Sequence, residues 1–168
     1  MFSVHGSVLP ASELERALFG YEEGSRKVRP GALENARDRT LFLGEVEALP
    51  LMLQVKLLRA LEDRKFTRDD GSKQIDLGDI RCISATSQKL NIRVDEKNFR
   101  SDLYYRLAGD VIFLPPLRER TEDFELLIKN VLDMKRDTLE RERGLSEIRF
   151  SAGTRNVIKQ YHWPRKCP

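Results

Sequence analysis

The segment "TLFLGEVEALP" at residues 40–50 contains the feature that most restricts how this chain can fold. Thr40 to Leu43 form an uninterrupted run of apolar or strand-favouring residues, and Gly44 and Glu45 follow it directly. A run without polar alternation is typical of a strand buried on both faces in a parallel sheet. The sequence therefore predicts a buried strand whose carboxyl end brings Glu45 to a functional site, with a solvated strand-end charge as the alternative.

Strands and helices alternate along the chain. Two more strands are predicted at residues 2–4 and 79–86, and another at 110–114, where it stops at a Pro-Pro pair that cannot continue a ladder. A β-hairpin is predicted in "KFTRDDGSKQI", because Asp-Gly is a favoured turn. A loop or hairpin with one helical turn at 32–36 is expected between the first helix and the strand at 40.

Capping residues and prolines indicate where the helices begin. The helix after Pro50 is expected to expose only one narrow stripe, formed by Met52, Lys56, Arg59 and Asp63. The order of elements predicts an α/β fold with a parallel sheet in residues 1–118 and a small helical subdomain in residues 119–168. The predicted helix starts are Ser12, Pro50, Ser101, Thr121 and Ser151.

Composition argues against several classes of function. The net charge is only +3, from 30 basic and 27 acidic residues, and this balance argues against a nucleic-acid-binding face. The cysteines Cys82 and Cys167 and the histidines His5 and His162 lack the spacing of a disulfide framework or a metal site. No apolar run approaches the roughly 20 residues of a membrane span. We expect a cytoplasmic protein with no membrane contact, no metal held by these residues and no DNA-binding motif in this chain.

Six stretches of the chain occur in an order and at spacings that match the motifs of a known protein family. They are "ELERALFGYEEG", "TLFLGEV", "LMLQVKLLRALEDRKF", "FRSDLYYRL", "VIFLPPLRERTED" and "YHWP". Together they resemble the central AAA+ ATPase domain of bacterial sigma-54-dependent transcription activators, the enhancer-binding proteins, over almost the whole chain. The resemblance implies a P-loop NTPase-like parallel sheet followed by the start of a C-terminal helical lid subdomain.

The resemblance also implies where ATP and Mg²⁺ would bind. In the family, the strand that "TLFLGEV" resembles is Walker B and ends in an Asp-Glu pair: the Asp helps to hold Mg²⁺ and the Glu polarises the attacking water. Here glycine replaces the Asp, and Thr-Ser stands where the family has the sensor I Thr-Asn. The implied nucleotide-facing residues are Leu43, Gly44, Glu45, Thr86 and Ser87.

Two arginines of "FRSDLYYRL" match family residues that reach across a ring interface toward a neighbouring subunit's γ-phosphate. They are Arg100 and Arg106, and a guanidinium suits this role because it stays charged and binds phosphate oxygens as a fork. With Glu45 they are the implied catalytic residues, and the implied partners are other AAA+ activator subunits and sigma-54 RNA polymerase. The alternative is that both arginines form ordinary surface ion pairs with Asp102 and nearby acids.

Three parts of the family pattern do not occur in this sequence. No G-x-x-x-x-G-K-[ST] motif is present, and the part resembled by "FSVHGSVLP" lies downstream of that loop in the family, so the sheet is expected to lack the P-loop strand. The Gly-Ala-Phe-Thr-Gly-Ala loop that contacts sigma does not follow Gly24. "RKCP" stands where the family has the sensor II arginine.

These observations support three hypotheses. The first is a degenerate sigma-54 interaction module that cannot bind or hydrolyse ATP alone and acts by pairing with an intact ATPase subunit. The second is a fragment of an active sigma-54 activator ATPase whose P-loop lies upstream. The third is a nonfunctional remnant whose incomplete sheet exposes an edge strand.

Overall fold

The computed structural model describes residues 1–7, 9–23, 27–143 and 150–161. The predictions on Gly24, His162 and Cys167, and on the segments that contain them, fall outside these residues. The strands are β1 Phe2–His5, β2 Gly20–Glu23, β3 Lys27–Pro30, β4 Thr40–Gly44, β5 Lys65–Thr67, β6 Gln74–Asp76 and β7 Arg81–Ser84. The helices are α1 Ala11–Phe19, α2 Ala32–Asn35, α3 Leu51–Asp63, α4 Leu90–Asp95, α5 Ser101–Leu107, α6 Phe124–Arg143 and α7 Ala152–Gln160.

A three-stranded parallel sheet in the order β1-β4-β7 is the centre of the first compact unit, Met1–Val111. The strand predicted at residues 40–44 is confirmed and lies between the other two. Leu41 and Leu43 of this strand are almost fully buried, at 0% and 2% exposure. The predicted parallel α/β sheet is therefore correct. Neighbouring strands cover β4 on both edges and the core covers the face of Leu41 and Leu43, whereas Phe42 on the other face is half-buried.

Helix α3 packs on this core through one apolar face, as predicted. Met52, Arg59 and Asp63 of the expected stripe are exposed. Lys56 is only half-exposed, because its ammonium group lies 4.5 Å from the centre of the Phe19 ring and donates to a carboxylate of α1 at 2.8 Å. A cation over an aromatic face is stabilised while its aliphatic stem covers apolar surface.

Both predicted serine caps in this unit are wrong. Helix α1 begins at Ala11 after Pro10, and Ser12 lies inside its first turn without capping it. Helix α5 begins at Ser101 itself, after Arg100. In both cases the residue before the helix has an extended ψ, 155° at Pro10 and 134° at Arg100, and it takes the capping position, so each helix starts earlier in the chain than the serine pattern predicts. Pro50 likewise precedes α3 and is not its first residue.

The strand predicted at residues 79–86 exists as β7, but it is not fully buried. Its residues alternate between exposed and half-buried, and Ile83 is 39% exposed. β7 pairs with β4 on one side only among the described strands. An edge position of this kind removes the second covering strand, which explains the difference from the predicted buried strand.

The strand predicted at residues 110–114 is wrong, since this segment has no regular secondary structure. Val111, Ile112, Phe113 and Leu114 are 76%, 85%, 77% and 77% exposed. No described strand pairs with the segment through its backbone. A strand is stable only when its N–H and C=O groups find a neighbour, so an apolar sequence without one does not form the element.

Two antiparallel hairpins lie outside the central sheet. β2 pairs with β3, and the helical turn α2 follows, as expected for residues 21–39. β5 pairs with β6, and Asp70 has the left-handed φ of 55° that the predicted Asp-Gly turn uses. Gly20 ends α1 with a φ of 76°, a backbone conformation that glycine adopts without steric cost.

The second compact unit, Ile112–Pro168, contains α6 and α7 among its described residues. The helix expected from Thr121 starts with a short 3-10 turn and becomes α-helical at Phe124. Ser151 caps α7 as predicted, because its Oγ accepts a hydrogen bond from the N–H of Thr154 at 3.1 Å. Glu125 on α6 pairs with Arg155 and Lys159 on α7 at 3.2 and 3.1 Å.

The predicted boundary at residues 118 and 119 differs from the division of the structure at Val111 and Ile112. The assignment of the two parts as an α/β subdomain and a lid subdomain stays a prediction. In the described residues no helix is long and apolar enough to cross a membrane.

Candidate functional site

The carboxyl end of β4 is the centre of the candidate site. Directly after the strand, Glu45 has a left-handed backbone with φ of 52° and ψ of 49°, and it leads into a 3-10 turn at Val46–Ala48. A non-glycine residue in this region costs about 1 kcal/mol, so surrounding contacts must hold it. Two such contacts come from the loop after β1: the N–H of Gly6 donates to the carbonyl of Gly44 at 2.9 Å, and Ser7 Oγ donates to the Glu45 carboxylate.

Gly44 has no side chain, and the imidazole of His5 lies over the space that one would need. His5 is the register partner of Gly44 in the parallel ladder. A Cβ added at Gly44 would lie closer than 3.0 Å to Nδ1 and Cε1 of His5. The ring also packs at a tilt on Phe42, with 5.9 Å between the two ring centres. A carboxylate at position 44 would therefore have to displace this ring.

Thr86 and Ser87 follow β7 and lie on the same side of the sheet as Glu45, because parallel strands end at one edge. Thr86 Oγ1 is engaged locally, donating to the carbonyl of Gln88 at 3.0 Å and accepting from its N–H at 3.1 Å. The side chain of Leu43 is buried in the core, and its carbonyl accepts from Ala85 at 2.8 Å. Leu43 therefore has no free side chain that could contact a ligand at this site.

Glu47 is a residue of this site that the sequence analysis missed. It is only 7% exposed, and its Oε1 accepts hydrogen bonds from the N–H of Ser87 at 3.1 Å and from Ser87 Oγ at 2.8 Å. The Val46 N–H also donates to the carbonyl of Ala85 at 3.2 Å. These bonds join the turn after β4 to the turn after β7. No sequence pattern indicated this role, since it depends on the left-handed backbone at Glu45.

The carboxylate of Glu47 stays ionised in spite of its burial. Burial by itself raises the pKa of Glu47, but hydrogen bonds from its own backbone N–H, from the Ser87 hydroxyl and from the Ser87 N–H together hold the pKa below the ordinary value. Its second oxygen, Oε2, is buried without a hydrogen-bond partner in the described part of the chain. Glu47 is thus a charged bridge between two strand ends.

We expect Glu47→Gln to destabilise the chain by about 1 to 2 kcal/mol at pH 7, because charge-assisted hydrogen bonds to Ser87 are weakened. Since the folded pKa of Glu47 is lowered, its ionised form stabilises the fold above the unfolded pKa near 4.3 and loses that effect as the pH falls through the folded value. The stability difference between the native chain and the variant should therefore shrink below about pH 4.5. Urea unfolding from pH 3.5 to 8 measures it.

Glu62→Gln is the matched control, because Glu62 is an exposed carboxylate on α3. We expect a change of less than about 0.5 kcal/mol from it at every pH. An unchanged difference between native chain and Glu47→Gln from pH 8 to pH 3.5 would show that the charge of Glu47 has no part in stability.

The two predicted interface arginines each have a partner within the chain. Arg100 forms a two-pronged pair with Asp102, at 3.0 Å from Nε and 2.7 Å from Nη2, and both side chains are over 40% exposed at 43% and 42%. Arg106 Nη2 donates to the carbonyl of Leu61 in the last turn of α3 at 3.0 Å. A cation at this position satisfies an otherwise free helix carbonyl. Among the described residues, neither guanidinium forms a hydrogen bond or an ion pair with Glu45, Thr86 or Ser87.

Arg106 also lines a cavity of about 200 Å³ with Leu61, Arg64, Ile80, Cys82 and Leu107. Burial raises the pKa of the Cys82 thiol to about 11, against the opposing charge of Arg106. The thiol is therefore protonated and unreactive at neutral pH.

The donor set at the strand ends does not fit a magnesium triphosphate in this chain alone. Among the described residues, no three His, Cys, Asp or Glu side chains come together as a metal site. Gly44 supplies no ligand, Glu45 is bonded to Ser7, and one oxygen of Glu47 is occupied by Ser87. A phosphate cradle requires a loop of free N–H groups and a lysine, and no Gly-Lys pair occurs in the 168 residues.

The fold and the site define an AAA+-type α/β domain. The closely similar solved structure of NtrX from Brucella abortus superposes with a TM-score of 0.83 at 31% identity, covering 96% of this chain and 36% of that one. A signal-transduction and transcriptional-control protein of Clostridium beijerinckii is 41% identical in an alignment of 167 positions that covers 96% of this chain and 26% of that protein. Regulatory protein AtoC of Escherichia coli K12 is 40% identical over 96% of this chain and 35% of its own length.

The Sigma-54 interaction domain family matches residues 1–112. The chain belongs to this family of transcriptional regulators. It spans roughly a third or less of the length of these relatives, from 26% to 36%. The resemblance noted from the sequence motifs is therefore confirmed.

Proposed function

We propose that this chain is a sigma-54 interaction module of a bacterial transcription regulator that neither binds nor hydrolyses ATP by itself. The observation that carries the proposal is the end of β4, where Gly44 offers no carboxylate and His5 covers its position. Loss of one carboxylate beside a catalytic Mg²⁺ costs on the order of several kcal/mol of transition-state stabilisation. Glu45 alone is insufficient for hydrolysis, because a triphosphate must first be bound near it.

The proposed role is to pair with intact AAA+ activator subunits and to change their activity. Arg100 supports this role because its pair with Asp102 is exposed, and exposed pairs are weakened by solvent and salt. A phosphate of a neighbouring subunit would therefore replace Asp102 at little cost. Arg106 has more to lose, since it leaves the α3 carbonyl of Leu61 unpaired when it moves. We propose Arg100 as the main partner-directed arginine.

Contact with sigma-54 RNA polymerase is proposed to come from those partner subunits. In this chain the last four residues of "ELERALFGYEE" form β2, which pairs with β3, and no Phe-Thr tip occurs in that part of the sequence. A module without the contacting tip would act on the polymerase only through the assembly that it joins.

We expect the purified chain to show no ATP binding tighter than about 1 mM and no measurable phosphate release with Mg²⁺ present. Titration of a fluorescent ATP analogue and a phosphate-release assay measure both, with an active sigma-54 activator ATPase domain as the positive control. Turnover near the ordinary rate of about 1 per second would overturn the proposal. Mixing the chain with the active domain should change the rate of that domain, and the Arg100→Ala chain should not.

A second candidate function is a fragment of an active activator ATPase. Two observations favour it: the chain spans only 26% and 35% of two curated relatives, and Glu45, Arg100 and Arg106 are retained. The coding DNA immediately before Met1 decides between the candidates. An in-frame G-x-x-x-x-G-K-[ST] motif supports the fragment, and its absence excludes it.

A further inference from the structure

Gln54 is a fully buried amide that forms hydrogen bonds with three backbone groups of the first unit, one just before α3 and two just before α5. It is 0% exposed, although it lies on α3 among apolar residues. Its Nε2 donates to the carbonyl of Leu49 at 2.7 Å and to the carbonyl of Asn98 at 3.2 Å. Its Oε1 accepts from the N–H of Arg100 at 2.8 Å. Three of the four hydrogen bonds available to this amide are therefore made, and all go to backbone.

We propose that Gln54 is the positioning residue for Arg100, an inference that rests on the partner-directed role of Arg100 proposed above. Arg100 directly precedes α5, and its own side chain does not cap that helix, although Asp102 Oδ1 accepts from the first-turn N–H of Leu103 at 2.8 Å. Its N–H is held by Gln54, while Phe99 before it and Leu103 after it are buried at 2% and 0% exposure. The backbone of Arg100 is thus fixed from the core, although its guanidinium is exposed. Gln54 sets where the side chain starts, and Asp102 sets its direction.

Only an amide satisfies this site, because it needs two donors and one acceptor in a single plane. An ionised carboxylate at position 54 would face the carbonyl oxygens of Leu49 and Asn98 and offer them no hydrogen. Protonation restores one donor and keeps the acceptor for Arg100. A methionine fills a similar volume but leaves three buried backbone groups unpaired, which is the costly case for hydrogen bonding.

The charged groups of the segments packed against Gln54 have partners of their own. Glu96 contacts Arg93 at 3.5 Å and the Asn98 side chain at 3.3 Å, and Arg100 pairs with Asp102. The pH response of a carboxylate at position 54 would therefore arise mainly from the two carbonyl oxygens and from burial, both of which raise its pKa.

The test compares Gln54→Met and Gln54→Glu with the matched control Gln74→Glu, which makes the same chemical change at an exposed residue of β6. Hydrogen exchange of the Arg100 amide is followed by NMR in the labelled chain, corrected for intrinsic rates, with the sheet amide of Ala85 as internal reference. We expect exchange at Arg100 to become at least about tenfold faster in Gln54→Met, with Ala85 changed less. In Gln54→Glu the loss should appear at pH 7.5 and diminish at pH 5.

Gln74→Glu should leave the Arg100 amide unchanged at both pH values. Equal protection of Arg100 in Gln54→Met and in the native chain overturns the proposal, as does a Gln54→Glu effect that does not depend on pH. If Gln54→Glu is unfolded at pH 7.5, exchange of the Arg100 amide is compared at pH 5 alone. Protection close to that of the native chain then supports the proposal, and lost protection contradicts it. The exchange measurement uses this chain alone, whereas the proposed effect on a partner ATPase is measured in a mixture. Gln54 can therefore fail as the positioning residue while the native chain still alters the partner ATPase, and the opposite pair of results can be told apart in the same way.

Discussion

Gly31→Ala is expected to destabilise the first unit by about 3 kcal/mol or more, the largest effect that we predict for a single methyl group. Gly31 precedes α2 with an ordinary φ of −85°, so the cost is not one of backbone conformation. The cause is close approach, because a Cβ at this position would lie closer than 3.0 Å to the backbone N of Gly20 and the backbone O of Leu18. Backbone atoms of a helix end cannot move aside as a flexible side chain can.

Urea unfolding of purified variants measures this effect, and Gly109→Ala is the matched control. A Cβ at Gly109 would have no heavy atom within 4 Å. We expect this control to change the free energy of unfolding by less than about 0.5 kcal/mol. Equal stabilities for the two alanine variants would contradict the close packing of the α1 end against the β2-β3 hairpin.

Arg68→Met is expected to cost about 2 to 4 kcal/mol, the second large effect. Arg68 is only 10% exposed and joins three elements: it donates to Glu22 of β2 at 2.7 Å and to both carboxylate oxygens of Glu34 of α2 at 2.7 and 3.0 Å. Hydrogen bonds to Glu34, more than the opposing burial, raise the pKa of Arg68. Methionine would leave two partly buried carboxylates without a counter-charge.

Arg64→Met provides the comparison for this charge network. Arg64 is 61% exposed and meets Asp79, which is 91% exposed, at 3.4 Å. An exposed pair of this kind contributes less than about 1 kcal/mol and weakens in salt. The Arg68 effect should persist at 0.5 M NaCl. Equal losses of stability for the two methionine variants would show that the ion pairs of Arg68 with Glu22 and Glu34 stabilise the chain no more than an exposed pair does.

The local sequence pattern predicted the central elements correctly where apolar residues form a continuous run or recur with helical spacing. The strand at 40–44 and helix α3 were placed because their side chains alone specify burial on two faces or on one stripe. Segment 110–114 had an equally apolar sequence, and there the prediction was wrong. The difference is that strand formation requires a partner at another point of the chain, which composition does not encode.

The helix starts show the same limit at smaller scale. Ser151 caps its helix, whereas Ser12 and Ser101 do not. In front of α5 the decisive contact is the bond from the Arg100 N–H to Gln54, 46 residues away. Glu47 was missed for a similar reason, because its bonds to Ser87 cross 40 residues.

By itself, the sequence determined the family motifs, the alternation of strands and helices, and the presence of glycine in place of a carboxylate at position 44. Those features are local, because they depend only on residue types and on their spacing along the chain. Only the tertiary structure decided that His5 covers Gly44, that Glu47 bridges two strand ends, and that Arg106 is turned toward Leu61. Such contacts form between residues that are distant in the sequence. They depend on which unpaired hydrogen-bonding groups the fold brings close together.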